Sequence, residues 1–297
     1  MSLKEIVTHL EEIVSGEQII TAAELCSACE VDGKTPLAVV RPRDAEQVGE
    51  VLALCNEHKW AVIPWGSGTQ VGIGNPPKAY HLGLDLGGLD QVPEHDADNL
   101  TLTAGAGCTL KLLEDLLAQR GQFLPLDPPM SDRATLGGVI ASNAFGPSRL
   151  RYGAVRDLIL GLQVALASGE LIDLGGKTVK NVAGYDLTKL LAGSFGSLGV
   201  ITRATCRLLP LPAQRQALVI GDAGAFVETA LYSKLLPTSL DMLRRVRLMG
   251  HSAETVSLVV GVEGSSETVS RQMRAGRAAA REENAAFVDL LDPPDEA

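Results

Sequence analysis

The stretch "PWGSGTQVGIGNPP", Pro64 to Pro77, places four glycines and three prolines in fourteen residues, directly behind the apolar run Trp60–Ile63. A buried strand therefore delivers the chain into a loop that no regular element continues, because Pro76 and Pro77 are incompatible with a helix interior. Positions without a Cβ leave main-chain N–H groups bare, and such a run can form a nest around an anion. Ser67 and Thr69 add hydroxyl donors. A dinucleotide fingerprint is excluded, since Gly66 and Gly68 are followed by Val71 where the third glycine belongs and no helix can follow directly. A P-loop is excluded for want of Gly-Lys-Ser/Thr. The alternative for this loop alone is a plain surface turn.

A length of 297 residues suggests two domains. The net charge of −10 and an aromatic content of 4% argue against a nucleic-acid partner. No apolar run reaches the roughly 20 residues of a membrane span, and the acidic start "MSLKEIVTHLEEIV" is unlike a signal peptide, so a cytoplasmic chain is expected. Peripheral attachment at the inner membrane through partners stays open. The five cysteines fit a reducing compartment. Cys26 and Cys29 form a CxxC without the second half of a zinc site. Glu24 and Glu30 flank the pair and would raise the thiol pKa, so two small apolar residues are the simpler reading. Cys55, Cys108 and Cys206 sit in apolar-periodic surroundings and are expected in the core.

"PLAVVRP" reads as a strand, Asp44 and Gln47 as a capping box, and Val48, Val51, Leu52 and Cys55 as one helix face. "WAVIP" then gives a second, parallel strand. Two strand-like runs, "YHLGLDL" and "NLTLTAGAG", precede a helix capped by Thr109 and ended at Gly121. "LILGLQVALASGELIDL" reads as two strands around a turn. After Pro210 and Pro212 the order strand, helix, strand, strand, helix, strand is that of a ferredoxin-like sandwich.

A second patch is poor in bulk, and a third is glycine-rich. In "TLGGVIASNAFG", Thr135, Gly137, Gly138, Ala141 and Ser142 allow a large flat ligand to approach the backbone, and Asn143 offers amide donors and an acceptor. "GSFGSLGVIT" ends in a β-branched strand whose main chain is suited to hydrogen-bonding an adenine. The order of these motifs, with "PLDPP", "RYG", "RD" and Lys180-Asn181-Val182-Ala183-Gly184-Tyr185-Asp186-Leu187, resembles the vanillyl-alcohol-oxidase/PCMH-type FAD-binding family, in its glycolate oxidase and D-lactate dehydrogenase branch.

The resemblance implies an α+β chain: a helical leader (1–34), a PCMH-type FAD-binding domain of two α/β subdomains (35–212), and a small ferredoxin-like cap-type domain (213–297). The cap lacks the family's closing return segment and is expected to be incomplete. Pro64, Trp65, Gly66, Ser67, Gly68, Thr69 and Gln70 would hold the FAD pyrophosphate. Thr135, Leu136, Gly137, Gly138, Ala141, Ser142 and Asn143 would line the ribityl and ring side. Gly153, Val155, Gly199 and Ile201 would reach the adenosine half, and Asp127 of the "PLDPP" string belongs to the same set. Arg151 and Tyr152 are equally well read as surface charge and core-edge packing. No histidine stands in the first loop, so non-covalent FAD is expected.

Oxidation of a 2-hydroxy acid needs a base and carboxylate-binding cations. None of His9, His58, His81, His95 or His251 is a convincing base: His58 ends a helix, His81 flanks a strand and His95 falls in the polar turn "PEHDADN". No metal-ligand cluster is apparent. The resemblance implies an FAD-binding subunit of a glycolate dehydrogenase complex, with a larger related flavin subunit and an iron–sulfur subunit as partners. A non-catalytic assembly subunit and a stand-alone D-2-hydroxy acid dehydrogenase are the alternatives.

Overall fold

The computed structural model describes residues 2–176, 185–221, 226–232, 235–244, 247–248, 251–252, 256–282 and 287–291. Most of the string Lys180–Leu187 thus lies outside the described residues. The chain divides into two compact units. The first comprises Met1–Leu124, Pro128–Phe145 and Ala154–Leu209; the second comprises Pro125–Asp127, Gly146–Gly153 and Pro210–Ala297.

In the first unit, a four-stranded sheet runs in the order Ile19–Ile20, Ala38–Val40, Leu82–Asp85, Val62–Trp65. Ala38–Val40 and Val62–Trp65 are parallel, as their helical crossover Ala45–Glu57 dictates, yet Leu82–Asp85 lies between them and pairs with both. That inserted strand is buried along its whole length, so it takes the central place. Asp44 caps the helix through Gln47 N–H at 2.8 Å. The expected capping box is only half made: Gln47 Oε1 instead accepts from Arg43 N–H at 2.9 Å and from Gln18 Nε2 at 2.7 Å.

A five-stranded antiparallel sheet follows, in the order Glu94–Asp96, Thr101–Gly105, Val200–Arg207, Ile159–Ala165, Leu171–Gly175. His95 therefore stands in a strand rather than a turn, its Nε2 2.8 Å from Gln122 Oε1. Thr109 caps the helix Leu110–Ala118, and Gly121 follows it at φ +64°. The short helix Leu136–Ser142 packs on the sheet, with Leu136 N–H bonded to Cys108 O and Gly137 N–H to Ala106 O.

In the second unit, the antiparallel order is Ser239–Arg244, Val256–Gly264, Gln214–Ile220, Phe287–Leu291. With the helices Phe226–Tyr232 and Ser266–Glu282 this is the strand order of a ferredoxin-like sandwich, to which the pair Arg247–Leu248 and His251–Ser252 is added. Leu218, Ile220, Phe226, Leu258, Val260, Val269 and Met273 form its core. The unit also holds Tyr152, whose hydroxyl donates to Glu263 Oε1, while Glu263 Oε2 accepts from Arg215 Nε at 3.0 Å. Tyr152 is thus a structural tie of residues 146–153, and desolvation together with Glu263 raises its pKa.

All five cysteines are free and buried. Burial alone raises Cys55 and Cys206 to about 12, and desolvation dominates in raising Cys108 to about 11. Cys26 and Cys29 pack with Val39, Ile20 and Trp65, and burial raises both. The carboxylate adding to the rise at Cys29 is Asp85, not the flanking Glu24 or Glu30. The native protein is therefore expected to resist thiol reagents at pH 8, and the unfolded chain to expose five reactive thiols. Because the folded-state values lie above the ordinary 9.0, this contribution to stability is intact below pH 9 and is lost as the pH rises toward 11–12. Thiol counting, and unfolding followed across that pH range, check both statements.

Candidate functional site

Within the first unit, three separated segments meet at one cleft of about 290 Å³, near the lower limit of small-molecule pockets. Strand Val62–Trp65 delivers the glycine loop to it, the helix Leu136–Ser142 forms a second wall, and the turn Phe195–Gly196 leading to Val200 and Ile201 forms a third. The contacts between segments are close. A Cβ on Gly66 would collide with Thr135 Oγ1, and one on Gly196 would stand 3.0 Å from Pro64 Cγ. Phe195 N–H donates to Ala141 O at 2.8 Å.

The loop presents unsatisfied donors. Ser67, Gly68, Thr69 and Gln70 donate their main-chain N–H to no other described residue. Ser67 Oγ is buried without a hydrogen-bond partner, a state that costs about 1–3 kcal/mol unless a ligand relieves it. Gly68 takes φ +75°, which only glycine adopts without strain, and its Cα faces Trp65. Gly137 lies against Ala106, where a Cβ would come within 2.5 Å of the Ala106 Cβ. An extended anion fits this arrangement: bare N–H groups, a hydroxyl and no side chain in the way.

Pro64, Trp65, Gly66, Ser67, Gly68, Thr69, Gln70, Thr135, Gly137, Gly138, Ala141, Ser142 and Ile201 all line the cleft. The Ser142 hydroxyl is already committed to Gly138 O at 2.7 Å. Six of the expected residues are not on its wall. Leu136 and Val155 point into the core, at 0% and 1% exposure. Gly199 is pressed against Val164. Asn143, at φ 50°, ends the helix with its Oδ1 buried and unpartnered. Asp127 and Gly153 belong to the second unit, where both Asp127 carboxylate oxygens are occupied by the N–H groups of Gly146 and Ser148.

Sequence reasoning missed Val31, Leu86, Ala106 and Phe195 on the wall. Val71, Ile73, Asn75 and Pro77 also line it, and reading the glycine loop through to its last proline would have found them. No histidine, aspartate, glutamate, lysine or arginine lines the cleft among the described residues. His81 Nδ1 accepts from Ala61 N–H at 2.7 Å, and the His58 ring stacks on Trp60 at 4.8 Å. Among the described residues no three His, Cys, Asp or Glu converge as a metal site, and no helix is long and apolar enough to cross a membrane.

A family model described as FAD binding domain matches residues 36–175. The chain is 34% identical over 277 residues to the glycolate oxidase subunit GlcD of Bacillus subtilis (strain 168), covering 88% of this chain and 59% of that protein. It is 39% identical over 213 residues to a D-lactate dehydrogenase of Archaeoglobus fulgidus, covering 70% of this chain and 47% of the relative. The chain therefore spans about half to three fifths of these relatives. A solved p-cresol methylhydroxylase superposes with a TM-score of 0.80 at 17% identity, over 96% of this chain and 65% of the other, a likeness of fold. Residues 36–175 are an FAD binding domain, and the chain shares the fold of the solved p-cresol methylhydroxylase.

Proposed function

We propose that this chain is the FAD-binding component of a 2-hydroxy acid oxidoreductase acting on glycolate, and that it holds FAD without a covalent bond. The observation that carries the reading is the loop Ser67–Gln70, which lines the cleft with four unpaired N–H groups and one unpartnered buried hydroxyl, while no acidic side chain lines it among the described residues. Pro64–Gln70 would receive the diphosphate through N–H donors, as a nest does. Gly137 and Gly138 would admit the ribityl chain and ring, and Ile201 would serve the adenosine half. Among the described residues the lining contains no histidine, cysteine or tyrosine that could supply a covalent flavin link, in keeping with an exchangeable cofactor.

FAD, when bound, supplies the two-electron acceptor for a CH–OH group. The cleft residues supply positioning: main-chain donors fix the diphosphate, and the apolar walls of Val200, Ile201 and Ala141 exclude water. Among the described residues they offer neither a base nor a cation for a substrate carboxylate. We therefore assign the substrate-side acid–base chemistry to groups beyond the cleft, in keeping with a heteromeric complex that includes a larger flavin subunit and an iron–sulfur subunit. The Bacillus relative is itself named as a subunit, which supports a heteromeric assembly in general. The identity to a D-lactate dehydrogenase favours a second reading, a dehydrogenase of D-2-hydroxy acids that needs no partner.

The test is flavin content and anaerobic reduction. The purified chain is expected to carry or take up FAD that acid or heat releases intact, and to bleach with glycolate only when partners are present. Bleaching by D-lactate with the chain alone would favour the second reading. A chain that stays colourless after incubation with FAD would end both.

A further inference from the structure

Phe195 is the one aromatic residue with a positive φ among the described residues, at 52°. A bulky residue in the left-handed region is an outlier, and such strain concentrates where a ligand or a switch requires it. The strain is held in place from both sides. Phe195 N–H is bonded to Ala141 O at 2.8 Å, and the next residue, Gly196, at φ 72°, closes on Pro64. The residue before it, Ser194, has a buried hydroxyl without a partner. Glycine or asparagine would take this conformation at lower cost, yet the position carries a large apolar ring.

That ring is not buried to compensate. Phe195 is 49% exposed while lining the cleft, and it stacks on no ring or cation among the described residues. The other aromatic of the cleft, Trp65, is covered by its own loop: a Cβ on Gly68 would stand 2.6 Å from Trp65 Cζ2. Phe195 is thus the aromatic surface of the wall left open to a ligand. The ligand the family takes has two flat ring systems, and π faces pair with aromatic side chains. We propose that Phe195 is a stacking platform for one ring of FAD, isoalloxazine or adenine. The inference rests on the flavin reading of the cleft.

The test compares Phe195→Leu, which keeps the strain and the apolar bulk but removes the π face, with Phe195→Trp, which keeps both. Binding of FAD is followed by titration, with no turnover needed. Phe195→Leu is expected to weaken FAD binding by roughly five- to hundredfold, the range that aromatic stacking on a flat base supplies. Phe195→Trp is expected to retain affinity and to quench emission if the ring is isoalloxazine. FMN and ADP identify the ring: loss of FMN binding in Phe195→Leu assigns the flavin, and loss of ADP binding assigns the adenine. Equal affinity of wild type and Phe195→Leu for FAD overturns the platform and leaves the flavin reading standing. If Phe195→Leu does not fold, Phe195→Trp decides, since FAD binding weakened as at an unrelated surface clash, with unchanged emission and no recovery in Phe195→Tyr, overturns it. A wild type that takes up no FAD overturns the flavin reading and the platform together.

Discussion

Gly68→Val is expected to abolish FAD retention while leaving the second unit folded. Two costs add at this residue. The φ of +75° is closed to a β-branched side chain, and the new Cβ would sit 2.6 Å from the Trp65 ring. Neither is relieved locally, because Trp65 belongs to the paired strand Val62–Trp65. The loop must then leave the geometry in which it lines the cleft. Loss of three or four charge-assisted hydrogen bonds, at roughly 1.5–3 kcal/mol each, would weaken binding by more than a thousandfold. Flavin absorbance per chain after gel filtration gives the cofactor content. Retained melting of the second unit, whose core of Leu218, Phe226, Val260 and Met273 is its own, shows that the fold survives. Flavin content equal to wild type would refute the loop assignment.

The second large effect is expected in that other unit. Glu263 is a strand residue with an 8% exposed side chain, held by the Tyr152 hydroxyl and by Arg215. Arg215→Met leaves the carboxylate with a neutral donor only, and Tyr152→Phe removes the tie to residues 146–153. Each is expected to lower stability by about 1–3 kcal/mol, the cost of a buried polar group left short of a partner. Replacing both charged partners, as in Glu263→Leu with Arg215→Met, should recover much of the loss, since no unpaired charge is then buried. Chemical denaturation of these three variants and of Glu263→Leu alone measures these differences. Additive losses in the double variant would show that Glu263 and Arg215 act independently.

Much of the architecture was legible in the order of residues. The helix face of Val48, Val51, Leu52 and Cys55, the Asp44 and Thr109 caps, and the strand–helix–strand–strand–helix–strand order after Pro212 each follow from contacts made within a few positions. So did the glycine loop, because bare backbone is itself a local property. The central place of Leu82–Asp85 was not legible, since parallel strands choose neighbours through pairing that sequence spacing does not encode. Nor was the assignment of Asp127 and Tyr152 to the second unit, which rests on partners as distant in sequence as Glu263.

For the site the division is similar. Local sequence determined that a strand would end in a glycine-rich, hydroxyl-bearing loop, and that the segment Thr135–Ser142 would expose small residues at Gly137, Gly138 and Ala141. Tertiary structure alone decided that Gly66 meets Thr135, that Gly196 meets Pro64, and that Leu136 and Val155 turn away into the core. The reason is physical. Backbone conformation and side-chain volume are set residue by residue, whereas the convergence of three chain segments is set by how two sheets and their helices bury their apolar faces.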